Sequence, residues 1–535
     1  MKSNTTSETA GRFLLLLLSG FMMLCPAFLA AEELSATATA SATIKMSLAE
    51  CVALAVRRNT SISLAYMDRV ITRYNFVTGH DYAFRPNVSW SSSAKRSGGR
   101  TETVTNSTRG NDQLSSGVSL SQPLKTGGSV SVAGTPWARS RQRSQTDLFD
   151  PVDGKSIDRS WNISISQPLL KNSGTRVGTA DVRLLRLSED ANILSLKDTV
   201  MAQVSDVIKA YRSLLQAKWM LEINKASLDR ANKQMEMNKL LIDMGRMAQM
   251  ELIQSESDVA NRELSLDAAI NSFDQARIAL LKALNLDIET LIDPEEELAS
   301  PTFDLSEEEI IDYVSANQPG YLGALINLES LRINLIKARS SQQLDLNLTG
   351  SWGKSRNDVL PGDTTRSDDW AIGLELQVPV YGSQKRSLKS SLLSAENELK
   401  KAEILQKKRD EDLRREARDK IRQIKTYVRQ IGLAARAREL AQKKLELELD
   451  KLKAGKTTNF QLVTYQDELR NLQIAELGAQ ITYLNAITDL DQFMGLTTSS
   501  WGIELNANRP DQGPLISNIS TASASNQIQQ VNDND

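Results

Sequence analysis

The sequence predicts an α+β membrane fold in which one unit is used twice, each copy supplying β strands and a very long helical hairpin. Three observations predict it: the second half of the chain repeats the first, short segments alternate oily and polar residues, and no apolar run past residue 31 is long enough to cross a bilayer as a helix. A spanning helix needs about 20 apolar residues. Without one, a membrane chain must cross as a closed β-barrel, because only barrels and apolar helices satisfy every backbone N–H and C=O in lipid.

The chain of 535 residues opens with Lys2 and Arg12 ahead of an apolar run, 13–18, which resumes over 21–24 and ends in Ala30-Ala31. This is the layout of a secretory signal peptide over 1–31, with an apolar centre too short to span. Cleavage there removes Cys25 and leaves Cys51 as a single thiol, so no intramolecular disulfide is expected. The rival reading makes Cys25 a lipidated N-terminus, but Leu24 stands where such sites carry a small residue. A linker, 32–46, follows.

Residues 240–286 resemble 450–496 at a constant offset of about 210. Gly245 falls on Gly455, Leu252 on Leu462, Ala276 on Ala486, Leu280 on Leu490 and Leu286 on Leu496. Further back, Ile165-Ser166-Gln167-Pro168-Leu169 matches Leu376-Gln377-Val378-Pro379-Val380. Ser47-Leu48-Ala49-Glu50 leading to Asn59 matches Leu305-Ser306-Glu307-Glu308 leading to Asn317. The first repeat is therefore set at 47–295, with strands within about 83–170 and a helical hairpin over 175–286. The second is set at 296–497, with strands within 343–380 and a hairpin over 383–496.

In the second repeat, Leu344, Leu346, Leu348 and Trp352 alternate with Asp345, Asn347, Thr349 and Ser351, and Trp370, Ile372, Leu374 and Leu376 with Ala371, Gly373, Glu375 and Gln377. The first repeat sets Trp161, Ile163 and Ile165 against Asn162, Ser164 and Ser166, and Val88 and Trp90 against Asn87 and Ser89. Period two gives each strand one oily and one wet face. A half-buried soluble sheet alternates in the same way. Spans of about 9 to 11 residues, with Trp352 and Trp370 flanking the Gly/Asp/Ser-rich loop 353–369, favour membrane strands carrying an aromatic girdle. Pro168 and Pro379 end strands and admit the helices that follow.

Segments 175–244 and 383–452 lack proline, and each would reach about 100 Å as a helix. In the second, Leu388, Leu392, Ala395, Leu399 and Ala402, then Ala417, Ile421, Ile424, Val428 and Ile431, step as the seam of a coiled coil. The charged stretch 400–420 reads as its solvated face. Gly245 and Gly455 stand where a left-handed helix cap belongs, so each long helix turns back at Gly245-Arg246-Met247 and Gly455-Lys456-Thr457.

With 10 Phe, 10 Tyr and 7 Trp, aromatics are 5% of the chain, thin for several compact cores and suited to an elongated molecule. Lys and Arg number 64 against 66 Asp and Glu, a net charge of −2, so no basic field exists to hold nucleic acid. One histidine, His80, and two cysteines cannot furnish the usual Cys/His zinc set. No nucleophile motif, phosphate loop or histidine-based general base is present, so neither catalysis nor a cofactor or metal is expected.

Two strands from each half make about four, whereas the smallest membrane barrels need about eight. An open edge in lipid leaves unpaired amides, so copies of the chain must pool their strands. Their helices then continue the tube into the adjoining water. The expected object is a channel-tunnel, a β-barrel joined to a long α-helical barrel.

At this point the residues are similar to a known family. Leu48-Ala49-Glu50 with Ala53, Ala55 and Asn59, the Gln167-Pro168-Leu169 element, and Gly455-Lys456-Thr457-Thr458 running into Leu462 and Gln466 resemble the TolC-type outer-membrane efflux proteins of Gram-negative bacteria. The resemblance extends from about 47 to 496. It implies a homotrimer with four strands per copy in a twelve-stranded barrel, set in the outer membrane, with an α-helical barrel in the periplasm. It further implies docking to a periplasmic adaptor protein and an inner-membrane transporter, with passive export of drugs, small molecules, metals or proteins. A periplasmic coiled-coil adaptor or structural envelope protein is the alternative, separable by whether extraction needs detergent.

Two stretches depart from the family. Residues 114–134 carry a further alternation, Val118 and Leu120 against Ser119 and Ser121, then Gln122-Pro123-Leu124, Val130 and Val132. They read either as an added hairpin inside the barrel or as loop structure stacked above it, the second being favoured because an added spanning hairpin would change the pore size. At the periplasmic gate, where relatives place acidic residues, the matching positions are Gln461 and Thr464, with Glu251 and Gln254 in the first half and Asp467 and Glu468 a turn later. The resemblance therefore implies a gate held by neutral hydrogen bonds and Glu251. Arg246 and Lys456 at the tips serve either as solvated helix ends or in adaptor docking. The tail 498–535 is rich in Asn, Ser, Gln and Asp and is expected to be disordered.

Overall fold

The computed structural model describes residues 44–102, 107–146, 149–295, 304–360, 362–378, 382–454, 456–506 and 515–516. The signal-peptide segment 1–31 with Cys25, and also Pro379 and Gly455, lie outside them.

The chain begins with a short strand, β1 (Ile44–Met46), and two helices, α1 (Leu48–Arg58) and α2 (Thr60–Phe76), the second prolonged by a π turn at Val77–Asp81. Four long strands follow: β2 (Asn87–Thr101), β3 (Ser107–Pro123), β4 (Ser129–Thr146) and β5 (Phe149–Pro168). After one helical turn, α3 (Thr175–Gly178), come α4 (Ala180–Asp243), its hairpin partner α5 (Met250–Leu284) and β6 (Ile292–Pro294), parallel to β1. The second half runs α6 (Glu307–Asn317), α7 (Pro319–Ser341), β7 (Asp345–Leu360), β8 (Asp363–Gln377), α8 (Ser383–Lys453) and α9 (Asn459–Met494). It closes on α10 (Thr497–Ser500) and the antiparallel pair β9 (Ile503–Glu504) and β10 (Leu515–Ile516).

The duplication reaches the helix caps. At the start of α1 the Ser47 hydroxyl accepts from the Glu50 amide while the Glu50 carboxylate accepts from the Ser47 amide, and Ser306 and Glu309 form the same box on α6. Ser306 thus corresponds to Ser47 and Glu309 to Glu50, one residue on from the match read in the sequence. The reason is that a hydroxyl and a carboxylate three residues apart fix a helix start more firmly than the flanking leucines do.

With 64 residues in α4 and 71 in α8, the two long helices extend about 96 and 107 Å. Each is anchored by its own short helix. Cys51, Val52 and Ala55 of α1 pack with Val200, Val204 and Tyr211 of α4 and Leu280, Leu281 and Leu284 of α5. In the second half, Ile310 and Val314 of α6 pack with Ala417 and Ile424 of α8 and Tyr483 and Leu490 of α9.

Two expectations about these helices change. Of the predicted seam, Ala417 and Ile424 are buried, whereas Leu388, Leu392, Ala395, Leu399 and Ala402 are only half-buried and Val428 is exposed, because one chain covers the seam only in part. The charged stretch is not purely solvated either: Asp410 accepts from the Tyr321 hydroxyl at 3.2 Å and Arg418 pairs with Glu307 at 2.9 Å, tying α8 to α7 and α6. The tail expectation is also corrected at its start. Ile503 is buried in the first-half core with Trp501 and Leu505 against it, since these apolar side chains leave water by packing there.

The sheet has six strands in the order β2-β3-β4-β5-β7-β8, every pair antiparallel. This corrects the count of four and the reading of 114–134 as loop structure. That stretch supplies the lower parts of β3 and β4, because its alternation matches the strands on either side and its backbone pairs with both.

Candidate functional site

Residues paired across antiparallel strands share a face. One ladder row therefore reads Val88, Leu120, Val132, Ile163, Trp352 and Trp370, apolar on all six strands. The predicted membrane residues lie on this face, Leu346 opposite Leu376, Leu348 opposite Leu374, Trp352 opposite Trp370 and Ile372 opposite Gly350. Leu344 directly precedes β7. Trp370 and Ile372 on the edge strand are 75% and 76% exposed, a contiguous oily patch that calls for a cover other than water.

The adjoining row, on the opposite face, reads Asn87, Ser121, Ser131, Ser164, Ser351 and Ala371. Its hydroxyls bond one another, as do those of nearby rows: Ser131 with Ser164 at 2.7 Å and Ser89 with Ser119 at 2.6 Å. Beyond the tryptophans the oily face becomes charged, with Lys354 on Asp368 at 3.0 Å, Arg159 on Asp358 at 2.6 Å and Arg96 on Asp112 at 2.6 Å. From Leu344 to Trp352 the strand covers about 26 Å at 3.3 Å per residue, the scale of the ~25 Å apolar band of outer-membrane barrels.

The far ends of the hairpins form the second element of the site. Gly245 takes φ +66 in the first turn, and the Arg246 amide closes back on Leu241 at 2.8 Å, leaving the Arg246 side chain exposed. In the second turn the Lys456 amide bonds Lys451 at 2.9 Å, Thr457 donates to the Glu448 carboxylate and Thr458 caps α9. The predicted gate positions Glu251, Gln254, Gln461 and Thr464 lie in the first two turns of α5 and α9 but make no side-chain hydrogen bond or ion pair with one another; Thr464 instead donates to Phe460 of its own helix.

What joins the two halves near the tips is a buried polar ladder that sequence reading missed. Gln234 donates to Asn238 at 2.8 Å, Asn238 to Ser255 at 2.7 Å, and Asn459 to the same Ser255 at 3.2 Å, linking α4, α5 and α9. Two turns further along α5, Arg262 donates to Asp258 at 3.2 Å and Ser227 at 3.1 Å, and pairs with Asp467 of α9 at 2.7 Å. Burial pushes the Asp258 carboxyl up and the Arg262 charge opposes it. Ser255, Asp258 and Arg262 recur at three and four residues, one helix face, and polar residues in that pattern were the available signal.

Among the described residues, no group of three or more His, Cys, Asp or Glu is placed to hold a metal ion, and no helix is long and apolar enough to cross a membrane.

Residues 311–496 match the sequence pattern of the outer membrane efflux protein family. No curated protein matches the chain by sequence. Among solved structures, the CmeC outer membrane channel of Campylobacter jejuni superimposes with a TM-score of 0.60 at 16% identity, covering 84% of this chain and 85% of that one. The outer membrane protein VceC of Vibrio cholerae gives 0.61 at 15% identity, over 84% and 96% of the two chains. The MtrE outer membrane channel of Neisseria gonorrhoeae gives 0.59 at 15% identity, over 84% and 88%. At such identities the likeness establishes the fold. With that fold along most of its length and the family's own sequence pattern across residues 311–496, the chain is similar to the outer membrane efflux proteins.

Proposed function

We propose that this protein is the outer-membrane channel of a tripartite export system, a passive conduit from the periplasm or an inner-membrane transporter to the exterior. The observation that carries the reading is the apolar row across a sheet with two open edges, joined directly to helices about 100 Å long. An oily face belongs in lipid, and open edges in lipid must be paired by neighbouring copies. The working form is a homotrimer. The serine-lined face then surrounds the lumen, and the helices carry the tube through the periplasm to an adaptor and a transporter. The wall supplies passage and no bond-making chemistry, and the transporter selects the cargo.

Purified protein tests this directly. Three copies per particle by native mass, with discrete conductance steps in planar bilayers, are expected. A water-soluble monomer that never inserts would end the proposal, and extraction without detergent would favour a periplasmic adaptor instead.

A further inference from the structure

The sheet carries more strands than the four per copy that the family resemblance implied, and the added hairpin is built as a wall element. Its residues keep the alternation of their neighbours: Leu120 and Val132 fall in the apolar row between Val88 and Ile163, while Ser121 and Ser131 fall in the serine row. Its lower end stops at the level where the other strands meet the helices. Pro123 pairs with Ser129, Ser129 with Ser166 and Ser166 with Thr349, one row across β3, β4, β5 and β7.

The turn between β3 and β4 is seated on the base of the helical part. The Gly174 amide donates to Thr126 at 3.0 Å, and Thr126 donates to Gln167 at 2.7 Å. Gly127 takes φ +88, and a Cβ there would stand 2.2 Å from the Asn172 carbonyl oxygen. The two Gln-Pro-Leu elements also behave alike. Gln122 donates to the Pro123 carbonyl and back to Phe84, and Gln167 donates to the Pro168 carbonyl and back to Thr126. A hairpin standing above the membrane would have neither the basal anchor nor the apolar row.

The edges complete the case. β2 and β8 are each 15 residues long, and each carries exposed apolar residues of the same face, Val88 beside Trp90 and Trp370 beside Ile372. An even number of antiparallel strands makes the two edges run in opposite directions, so β2 of one copy meets β8 of the next antiparallel, a head-to-tail contact that closes by rotation. Resting on the trimer proposed above, we infer that each copy contributes six membrane strands and that three copies close an eighteen-stranded barrel. With strands about 4.8 Å apart and tilted about 40°, such a barrel is about 36 Å across between backbones, against about 24 Å for twelve strands. Passage is then limited by the helical tips, and the outer barrel admits bulkier cargo than a twelve-stranded wall would.

The test is single-cysteine labelling of the full-length protein in proteoliposomes, in a background lacking Cys51. Ser119→Cys and Ser131→Cys are expected to react with a charged, water-soluble maleimide at least tenfold faster than Leu120→Cys and Val132→Cys, which a lipid-soluble maleimide should label instead. Equal reaction of all four with the charged reagent would place the hairpin in water and overturn the inference. Electron-microscopic images of the particle should show eighteen strands, and twelve would overturn it. Alternating labels with a native mass other than three copies would overturn the trimer while leaving six strands per copy.

Discussion

Arg262 on α5 and Asp467 on α9 meet at 2.7 Å, an ion pair that joins the helical hairpin of the first half to that of the second near their tips. The guanidinium is buried and the carboxylate half-exposed, so the two partners are unequal. Removing Arg262 strands Asp258 in the interior, whereas removing Asp467 leaves Arg262 its bonds to Asp258 and Ser227. Breaking a buried pair from the buried side costs about 3 kcal/mol and an exposed partner about 1 kcal/mol or less. Arg262→Ala should therefore lower the thermal dissociation temperature of the oligomer clearly more than Asp467→Ala. Both should raise the closed-state conductance in planar bilayers, and unchanged conductance in both would remove this pair from the gate.

The proposed gate positions predict a weak response to divalent cations. Gln461, Gln254 and Thr464 are neutral, and Glu251 supplies one carboxylate per copy. Block is expected only at millimolar cation, whereas Gln461→Asp with Thr464→Asp should bring it down at least tenfold. Submicromolar block of the unmodified channel, recorded in a bilayer, would contradict this assignment.

Arg246 and Lys456 are exposed at the two turns and are proposed to meet the adaptor. As mere helix-end charges each would be worth about 0.3 to 1 kcal/mol, too little to affect assembly. The double change Arg246→Glu and Lys456→Glu should abolish export while trimer abundance in the envelope stays within about twofold. Normal export by that variant would dismiss the docking role.

Asp491 on α9 gives a pH dependence. Burial pushes its carboxyl up to about 7, opposed by the Arg212 charge, with the Lys209–Asp489 pair close by in sequence. A raised folded-state value means that the folded form binds the proton more tightly than the unfolded one. The penalty for burying the carboxylate is thus full above about pH 7 and declines as pH falls toward 4. Asp491→Asn should melt at a higher temperature than the parent at pH 8, with the advantage shrinking by pH 5. An advantage that does not vary with pH would count against the assignment.

Several features were legible without coordinates because they depend on period and on single residues. That Leu346, Trp352, Trp370 and Leu376 share the oily face of their strands follows from period-two alternation, the ends of the long helices from the absence of proline and the presence of Gly245, and the duplicated half from a constant offset. Other features were not. Arg262 and Asp467 lie 205 positions apart, and no local rule says which charged residue on a helix turns inward. The seam residues Leu388, Leu392, Ala395, Leu399 and Ala402 keep their helical spacing yet are only half-buried within one chain, and spacing alone does not say what packs against them.

By itself, then, the sequence determined the elements, the oily and wet faces and the need for partners, because these are set by side-chain period and by the cost of unpaired backbone in lipid. Only the tertiary structure decided that residues 114–134 extend the sheet, that Trp501 and Ile503 fold back onto the first-half core, and that Arg262 ties the two hairpins together. Those outcomes turn on which distant strand or helix lies alongside, and hydrogen bonds between remote segments leave no periodic trace in the chain.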